Sequence, residues 1–125
     1  MSTFFYEFSQ NNTGGSFDVD DKVCHRLFVE AKSAKEARKK AKDLGVYFNG
    51  VSKGLDCGCC GDRWYKVDDS DKIDLTSISK SYKKEFLHIK DYAQYLANKY
   101  GWTTPDSRIF YIDGTVENIS KKELI

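Results

Sequence analysis

Three of the four cysteines of this chain lie within four positions, in a glycine-bearing segment that runs Asp-Cys-Gly-Cys-Cys-Gly-Asp-Arg-Trp over 56–64. Cys57 and Cys60 have the C-x-x-C spacing of half a zinc knuckle, in which two thiolates on a tight turn bind the metal. Tetrahedral zinc takes four ligands. The others would have to come from the remaining thiols and imidazoles: Cys59, Cys24, His25 or His88. In the alternative interpretation, these thiols pack as small hydrophobic groups.

The same segment ends in Arg63 and Trp64, a planar cation and a large flat ring. Arg63 could bind a phosphate in a bidentate fork, and Trp64 could stack on a base. The alternative is an Arg63 that pairs with Asp62 or Asp56 beside a partly buried Trp64. The polar loop 10–16 offers amides and bare glycine backbone as a second ligand contact. The predicted ligand-binding residues are therefore Arg63, Trp64, Asn11, Asn12, Arg108 and Tyr111.

The sequence does not show a set of residues typical of a catalytic site. It contains no P-loop, zinc-protease or nucleophile-elbow motif, and its two histidines offer little for acid–base chemistry. No helix is predicted directly after the cysteine cluster, so no helix dipole would lower a thiolate pKa there. A nuclease or phosphodiesterase would need an acid and histidine pair that no local motif supplies. We therefore expect a protein that binds and does not catalyse.

The bulk properties limit the class of protein. The 125 residues fit one domain, spanning 1–125. Lysine and arginine number 20 against 19 acidic residues, and a formal charge of +1 argues against strong nucleic-acid binding. The N-terminus does not resemble a signal peptide, and no apolar run approaches the ~20 residues of a membrane helix. We expect a cytoplasmic protein with reduced thiols and no membrane contact.

Hydrophobic periodicity predicts the elements. Strands are expected at 3–9 and 23–31, and shorter ones at 46–48 and 63–67. A capping box of Ser33 and Glu36 begins a helix that ends at Gly45, and a second helix is predicted over 91–100. Segment 73–90 is ambiguous. Asp113-Gly114 between apolar alternation predicts a hairpin of 108–112 with 115–119. The predicted class is α+β, a mostly antiparallel sheet with two main helices on one face and a C-terminal β-hairpin.

Two longer segments carry a resemblance. They are Gln-Asn-Asn-Thr-Gly-Gly-Ser-Phe at 10–17, with the strand before it, and the cysteine segment 56–64. Both resemble a family of small tailed-phage proteins that is known as a domain of unknown function, and the hairpin 111–116 is similar to it too. The resemblance implies a phage origin and a location in the bacterial host cytoplasm. It implies no catalytic residues.

Small phage proteins of this size often counter bacterial immunity as compact homo-oligomers that trap a nucleotide signal, such as a cyclic ADP-ribose isomer or a cyclic oligonucleotide. By this analogy of size and setting, we expect a homo-oligomer that sequesters a small nucleotide-type ligand. Such a protein needs a pocket with aromatic rings and a few cations, and no catalytic group. The alternative is a zinc-stabilised interaction module that binds a host protein.

Overall fold

The computed structural model describes residues 2–11, 17–56, 58, 61–101 and 103–122. The strands are β1 (Phe4–Ser9), β2 (Arg26–Ala31), β3 (Ser107–Phe110) and β4 (Val116–Ile119). The helices are α1 (Ala34–Leu44), α2 (Leu75–Tyr82) and α3 (Ile89–Tyr100), and a 3₁₀ turn covers Asp69–Asp71. Within these described ranges, no helix is long and apolar enough to cross a membrane.

The four strands form one sheet in the order β1-β2-β3-β4. β1 pairs antiparallel with β2, and β3 pairs antiparallel with β4, while β2 and β3 run parallel. The hairpin turn contains Gly114 at φ +93°, a left-handed conformation that glycine adopts without strain. The predicted α+β class, the mostly antiparallel sheet and the C-terminal hairpin are confirmed.

Helix α1 begins and ends where the sequence signals place its ends. The Ser33 hydroxyl accepts a hydrogen bond from the backbone N–H of Glu36 at 3.2 Å. Gly45 follows the helix at φ +114°, and its N–H donates to carbonyls of the last turn. Ala34, Ala37 and Ala41 are buried. These small side chains allow the helix to pack closely against the sheet.

The two main helices lie on opposite faces of the sheet, so the prediction that both cover one face is wrong. Leu27 and Val29 of β2 pack in the hydrophobic cluster that contains α1. Phe28, between them, packs in the cluster that contains α3. Because successive side chains of a strand point to opposite faces, the two clusters must lie on the two sides of β2. We call these sides the α1 face and the α3 face.

Segment 73–90 contains α2, a short helix whose first turn is capped by Asp74. Helix α3 begins two residues earlier than predicted, at Ile89, because the Asp91 carboxylate accepts a hydrogen bond from the N–H of His88 at 3.1 Å. The apolar stripe of α3 is buried as expected, except that Tyr100 is 44% exposed. That tyrosine lies at the last residue of the helix, beyond the part that packs on the sheet.

The short strands predicted at 46–48 and 63–67 do not form. Val46 and Phe48 are buried beside α1 without strand pairing. In the second segment a single isolated bridge joins Trp64 to Gln10. Val46, Phe48, Trp64 and Val67 fill the core on the α1 face, and burial alone does not distinguish a strand from an irregular segment.

Candidate functional site

A cleft of about 500 Å³ lies on the α3 face, at the end of β1. We call it the β1 cleft. Strand β1 contributes two lining side chains, and the others come from the segment after Trp64, from the 3₁₀ turn and from α2 and α3. The lining residues are Glu7, Ser9, Tyr65, Lys66, Val67, Asp71, Lys72, Ile73, Asp74, Ser77, Ile78 and Tyr92.

Glu7 is the carboxylate that β1 contributes to this cleft. Its side chain is 26% exposed, and Arg26 Nε lies 3.6 Å from one of its oxygens. Burial raises the pKa of Glu7, the positive charge of Arg26 opposes that shift, and the negative charge of Asp106 adds to it. Burial and the nearby Glu7 charge also raise the pKa of the Tyr92 hydroxyl. The cleft therefore presents a carboxylate with a raised pKa and a neutral phenol.

Arg26 connects the cleft to a group of buried polar side chains formed by His25, Arg26, Asp106 and Ser107, which we call the polar junction. One Asp106 oxygen lies 3.0 Å from His25 Nδ1, and the other accepts a hydrogen bond from Arg26 Nη1 at 2.7 Å. Ser107 donates its hydroxyl proton to the same carboxylate at 3.0 Å. Burial alone would raise the pKa of Asp106, but the hydrogen bond from His25 and the charge of Arg26 hold it below its usual value.

This acid and histidine pair is not visible in the sequence. His25 and Asp106 are 81 positions apart, and they meet because β2 and β3 are parallel neighbours whose preceding residues lie side by side. No local motif signals such a contact. Among the described residues, no buried side-chain nitrogen or oxygen lacks a hydrogen-bond partner. The polar junction is therefore fully satisfied, as a structural centre requires.

The adjacent aromatic residues Trp64 and Tyr65 have different surroundings. Trp64 is 2% exposed and packs in the core of the α1 face. Tyr65 is 55% exposed and lines the β1 cleft. The Tyr65 N–H donates to the carbonyl of Ser9 at 3.3 Å, which holds this segment beside the end of β1. The predicted stacking ring, Trp64, is thus enclosed by protein, and the accessible ring is that of the next residue.

Arg63 is engaged with the protein around it. Its Nε lies 3.3 Å from a carboxylate oxygen of Asp18, and its Nη1 donates to the side-chain oxygen of Gln10 at 3.3 Å. Its backbone N–H donates to Asp56 Oδ2 at 2.9 Å. Asp56 also accepts the Tyr47 hydroxyl proton. The guanidinium contact is with Asp18, whereas the alternative interpretation of the sequence named Asp62 or Asp56; Asp56 accepts from the Arg63 backbone N–H.

The other predicted ligand contacts lie in separate places. Asn11 donates its N–H to the carbonyl of Arg63 at 2.6 Å, so these two residues adjoin. Arg108 is buried on β3 and donates to the carbonyl of Val23 at 2.9 Å. The Tyr111 hydroxyl donates to Glu117 at 2.7 Å, and burial followed by that hydrogen bond raises the pKa of Tyr111 to about 12. Asn12 lies outside the described residues.

A family model described as a domain of unknown function, DUF7296, matches residues 3–125. The chain belongs to this family. Comparison with curated proteins and with solved structures found no match. Membership in DUF7296 assigns no residue roles, so the function of this DUF7296 chain has to be argued from its own side chains.

The predicted metal ligands of the DUF7296 chain are only partly described. Cys57, Cys59 and Cys60 lie outside the described residues. Cys24 is buried, its Sγ lies 3.3 Å from the carbonyl oxygen of Arg26, and burial raises its pKa to about 11. Its thiol therefore stays protonated at neutral pH. Within the described part of the chain, no three His, Cys, Asp or Glu side chains are grouped to hold a metal ion. The zinc site stays a prediction.

Charged side chains of both signs line the cleft, among them Lys66, Lys72 and Asp74. Asp74 precedes α2, and the N–H groups of Ser77 and Thr76 donate to its carboxylate, which lowers its pKa. This carboxylate therefore keeps its negative charge at neutral pH. Exposed Lys66 directly follows Tyr65. An anionic group would be favoured beside Lys66 and repelled near Asp74.

Proposed function

We propose that this chain is a non-enzymatic binding protein that sequesters a small nucleotide-derived signal in the β1 cleft. The observation that carries the proposal is that exposed Tyr65 and exposed Lys66 line a cleft that the Glu7 carboxylate also lines. A nucleotide carries groups that suit these side chains: a flat base that can stack on a ring, and an anionic phosphate that an ammonium attracts.

The size of the cleft supports a ligand of this class. Pockets that bind small molecules commonly have volumes of about 300–1,000 Å³, and the β1 cleft has about 500 Å³. Its lining mixes apolar side chains, such as Ile73 and Ile78, with a few polar groups. That mixture is typical of a site in which apolar contacts supply affinity and polar groups supply orientation.

Each part of a nucleotide has a partner in the lining. The base would stack on Tyr65, with a contribution of ~1–3 kcal/mol. Its amino or imino hydrogens would be donated to the Glu7 carboxylate. The phosphate would lie beside Lys66 and away from the Asp74 carboxylate, which would repel it. This orientation requires neither Trp64 nor Arg63 to leave its present contacts.

Sequestration suits these side chains better than turnover. The histidine and aspartate that could act as an acid–base pair are buried in the polar junction, where Asp106 holds both His25 and Arg26. The resemblance of segments 10–17 and 56–64 to small tailed-phage proteins supports a phage origin. In that setting, a homo-oligomer in the host cytoplasm that removes a cyclic ADP-ribose isomer or a cyclic oligonucleotide would act against host immunity.

The decisive experiment is incubation of the purified chain with a panel of cyclic and linear nucleotide signals. Bound material is then released by denaturation and identified by mass spectrometry. We expect one ligand to be recovered chemically intact and at a fixed ratio to protein. Recovery of a converted product would instead show an enzyme, and recovery of no nucleotide from any member of the panel would overturn the proposal. Light scattering on the same sample measures the expected homo-oligomer.

Variants of the lining residues test whether the ligand binds in the cleft. Tyr65→Ala should weaken binding by about five- to 100-fold, the range expected for loss of one stacked base, whereas Tyr65→Phe should retain most of it. Lys66→Ala should also weaken binding. Lys53→Ala removes an equally exposed lysine from another loop and is the matched control. Equal effects of Lys66→Ala and Lys53→Ala would contradict the assignment of Lys66.

A further inference from the structure

A second surface combines exposed aromatic rings with cations where the end of α2 meets the end of α3. It consists of Tyr82, Lys84, Tyr95, Lys99 and Tyr100, and we call it the tyrosine–lysine patch. Tyr82 is 41% exposed and Tyr100 is 44% exposed. The ring centroids of Tyr82 and Tyr95 are 5.4 Å apart. The rings of Tyr82 and Tyr95 are therefore adjacent.

The ammonium groups lie directly over these rings. Lys84 Nζ is 5.0 Å from the centroid of Tyr95. Lys99 Nζ lies between two rings, 5.6 Å from Tyr95 and 5.5 Å from Tyr100, and donates a hydrogen bond to the Tyr95 hydroxyl at 3.2 Å. Such cation–π contacts hold the lysines close to the aromatic surface instead of extended into solvent.

The charge of the patch differs from that of the whole chain. Segments 80–84 and 95–100 together contain four lysines and no acidic residue, although the complete chain carries a formal charge of only +1. A compact positive patch on a nearly neutral protein directs an anionic partner to one place. The nearest acidic residue in sequence is Glu85, which is exposed and follows Lys84.

We propose that the tyrosine–lysine patch binds single-stranded nucleic acid. A single strand alternates a phosphate with a flat, unpaired base, and the patch alternates an ammonium with a ring. Bases would stack on Tyr82 and Tyr100, and phosphates would pair with Lys84 and Lys99. In a duplex the bases are stacked on one another, so duplex would gain only the phosphate contacts.

The proposal stands apart from the ligand of the β1 cleft. None of the five patch residues lines that cleft. The two surfaces adjoin through Tyr92, which lines the cleft and whose ring centroid is 6.2 Å from that of Tyr82. The near-neutral total charge predicts binding of short strands that weakens readily as salt is added, and not the coating of long nucleic acid.

The test is fluorescence anisotropy of the full chain with a labelled single-stranded oligothymidylate and with a duplex of the same length, at several salt concentrations. We expect the single strand to bind more tightly than the duplex and the affinity to fall as salt rises. Tyr100→Ala should weaken single-strand binding by about five- to 100-fold, as expected for one lost stacking contact. Because Tyr100 is exposed at a helix end, this variant should fold, which circular dichroism checks.

A charge variant makes the test independent of the rings. Lys84→Gln with Lys99→Gln should reduce the slope of log affinity against log salt by roughly 1.4, about 0.7 for each lost phosphate contact on a single strand. The matched control is Lys35→Gln with Lys39→Gln, two exposed lysines of α1. Each patch variant should bind the small ligand of the cleft as the parent chain does.

Three outcomes would overturn the proposal. The first is single-strand affinity unchanged by Tyr100→Ala and by the Lys84 and Lys99 changes. The second is equal loss in the Lys35 and Lys39 control, which would show attraction to charge anywhere on the surface. The third is patch-dependent capture on vesicles of phosphatidylserine without binding of the oligonucleotide, which would assign the patch to an anionic membrane surface.

Discussion

The two faces of the sheet use the same strands for different purposes. On the α1 face, Tyr6 and Phe8 of β1 are almost fully buried against β2 and the alanines of α1. On the α3 face, the alternate positions are Glu7 and Ser9, and both line an open cleft. A shift of one residue along β1 therefore exchanges a closed core for an accessible polar site, because side chains alternate across a strand.

The segment that adjoins the end of β1 shows the same contrast. Trp64 enters the closed core, and Tyr65 enters the cleft. Two residues adjacent in sequence therefore have different surroundings, because one side chain lies on the core side of the segment and the other lies on the cleft side.

The largest effect is expected in the polar junction, which lies between the two faces. Asp106→Asn removes the negative charge that holds buried Arg26 and His25, and we expect a loss of about 3–5 kcal/mol in the free energy of unfolding. Chemical denaturation measures it. The parent chain should also lose this stabilisation as the pH falls through the lowered pKa of Asp106, since the paired form exists only when Asp106 is ionised. Asp21→Asn, at an exposed position, is the control, and equal losses in both variants would contradict the assignment.

The adjacent aromatic residues allow the sharpest comparison of core and cleft. Trp64→Ala should cost about 3–5 kcal/mol, because it empties a large volume in the core of the α1 face. Tyr65→Ala should change stability by less than about 0.5 kcal/mol, because that ring is mostly exposed. Thermal and denaturant unfolding of the two variants compares them directly. A stable Trp64→Ala protein that no longer binds the ligand would return the stacking role to Trp64.

Much of the fold follows from local sequence signals. The Ser33 cap, the stop at Gly45 and the Asp113-Gly114 turn each depend on a few neighbouring residues, and the structure has all three. The sequence did not predict which face of the sheet each helix covers. The apolar Phe28 on the second side of β2 indicated a central strand, but it did not show which helix packs on that side. The parallel pairing of β2 with β3 is a long-range contact with no local signature.

The site was predictable only in part, for the same reason. Arg63 and Trp64 directly precede Tyr65 and Lys66, which line the proposed site, but the side on which each lies depends on the bridge between Gln10 and Trp64. The pairing of His25 with Asp106 needs two strands to meet across most of the chain. Chemistry that depends on tertiary contacts leaves little trace in one sequence.

The cysteine segment gives a further test of stability. If Cys57 and Cys60 bind zinc, metal analysis of the purified chain should find about one zinc per molecule. A chelator should then lower the melting temperature, since a bound metal stabilises only the folded state. Cys57→Ser should have the same effect, with Cys24→Ser as a comparison at a buried thiol. Metal-free protein of undiminished stability would identify these thiols as packing groups.

Arg63 tests whether a residue near the cleft serves the fold or the ligand. Its ion pair with Asp18 and hydrogen bond to Gln10 predict that Arg63→Ala lowers stability by about 1 kcal/mol. Ligand affinity, measured by calorimetry and corrected for the folded fraction, should remain at the parent value. Arg63→Lys should restore stability only partly, because an ammonium cannot reproduce the guanidinium geometry. A fully stable Arg63→Ala protein with lost binding would place Arg63 in the ligand site.

The last prediction concerns how the burial of Glu7 in the cleft changes the stability of the protein with pH. Because burial raises the pKa of Glu7 above its ordinary 4.5, the folded state binds this proton more tightly than the unfolded state. The stabilisation from the protonated form is complete below pH 4.5 and is lost as the pH rises through the raised pKa. Gln at this position does not titrate. The stability of the parent chain relative to Glu7→Gln should therefore fall as the pH rises from 4.5 through the raised pKa of Glu7. Denaturant unfolding across that range measures the change, with Glu85→Gln as the control for loss of an exposed carboxylate.

A relative stability that instead rises with pH would mean that the ion pair of Glu7 with Arg26 outweighs the effect of burial. Glu7 would then be a structural carboxylate and not a ligand-binding group of the cleft.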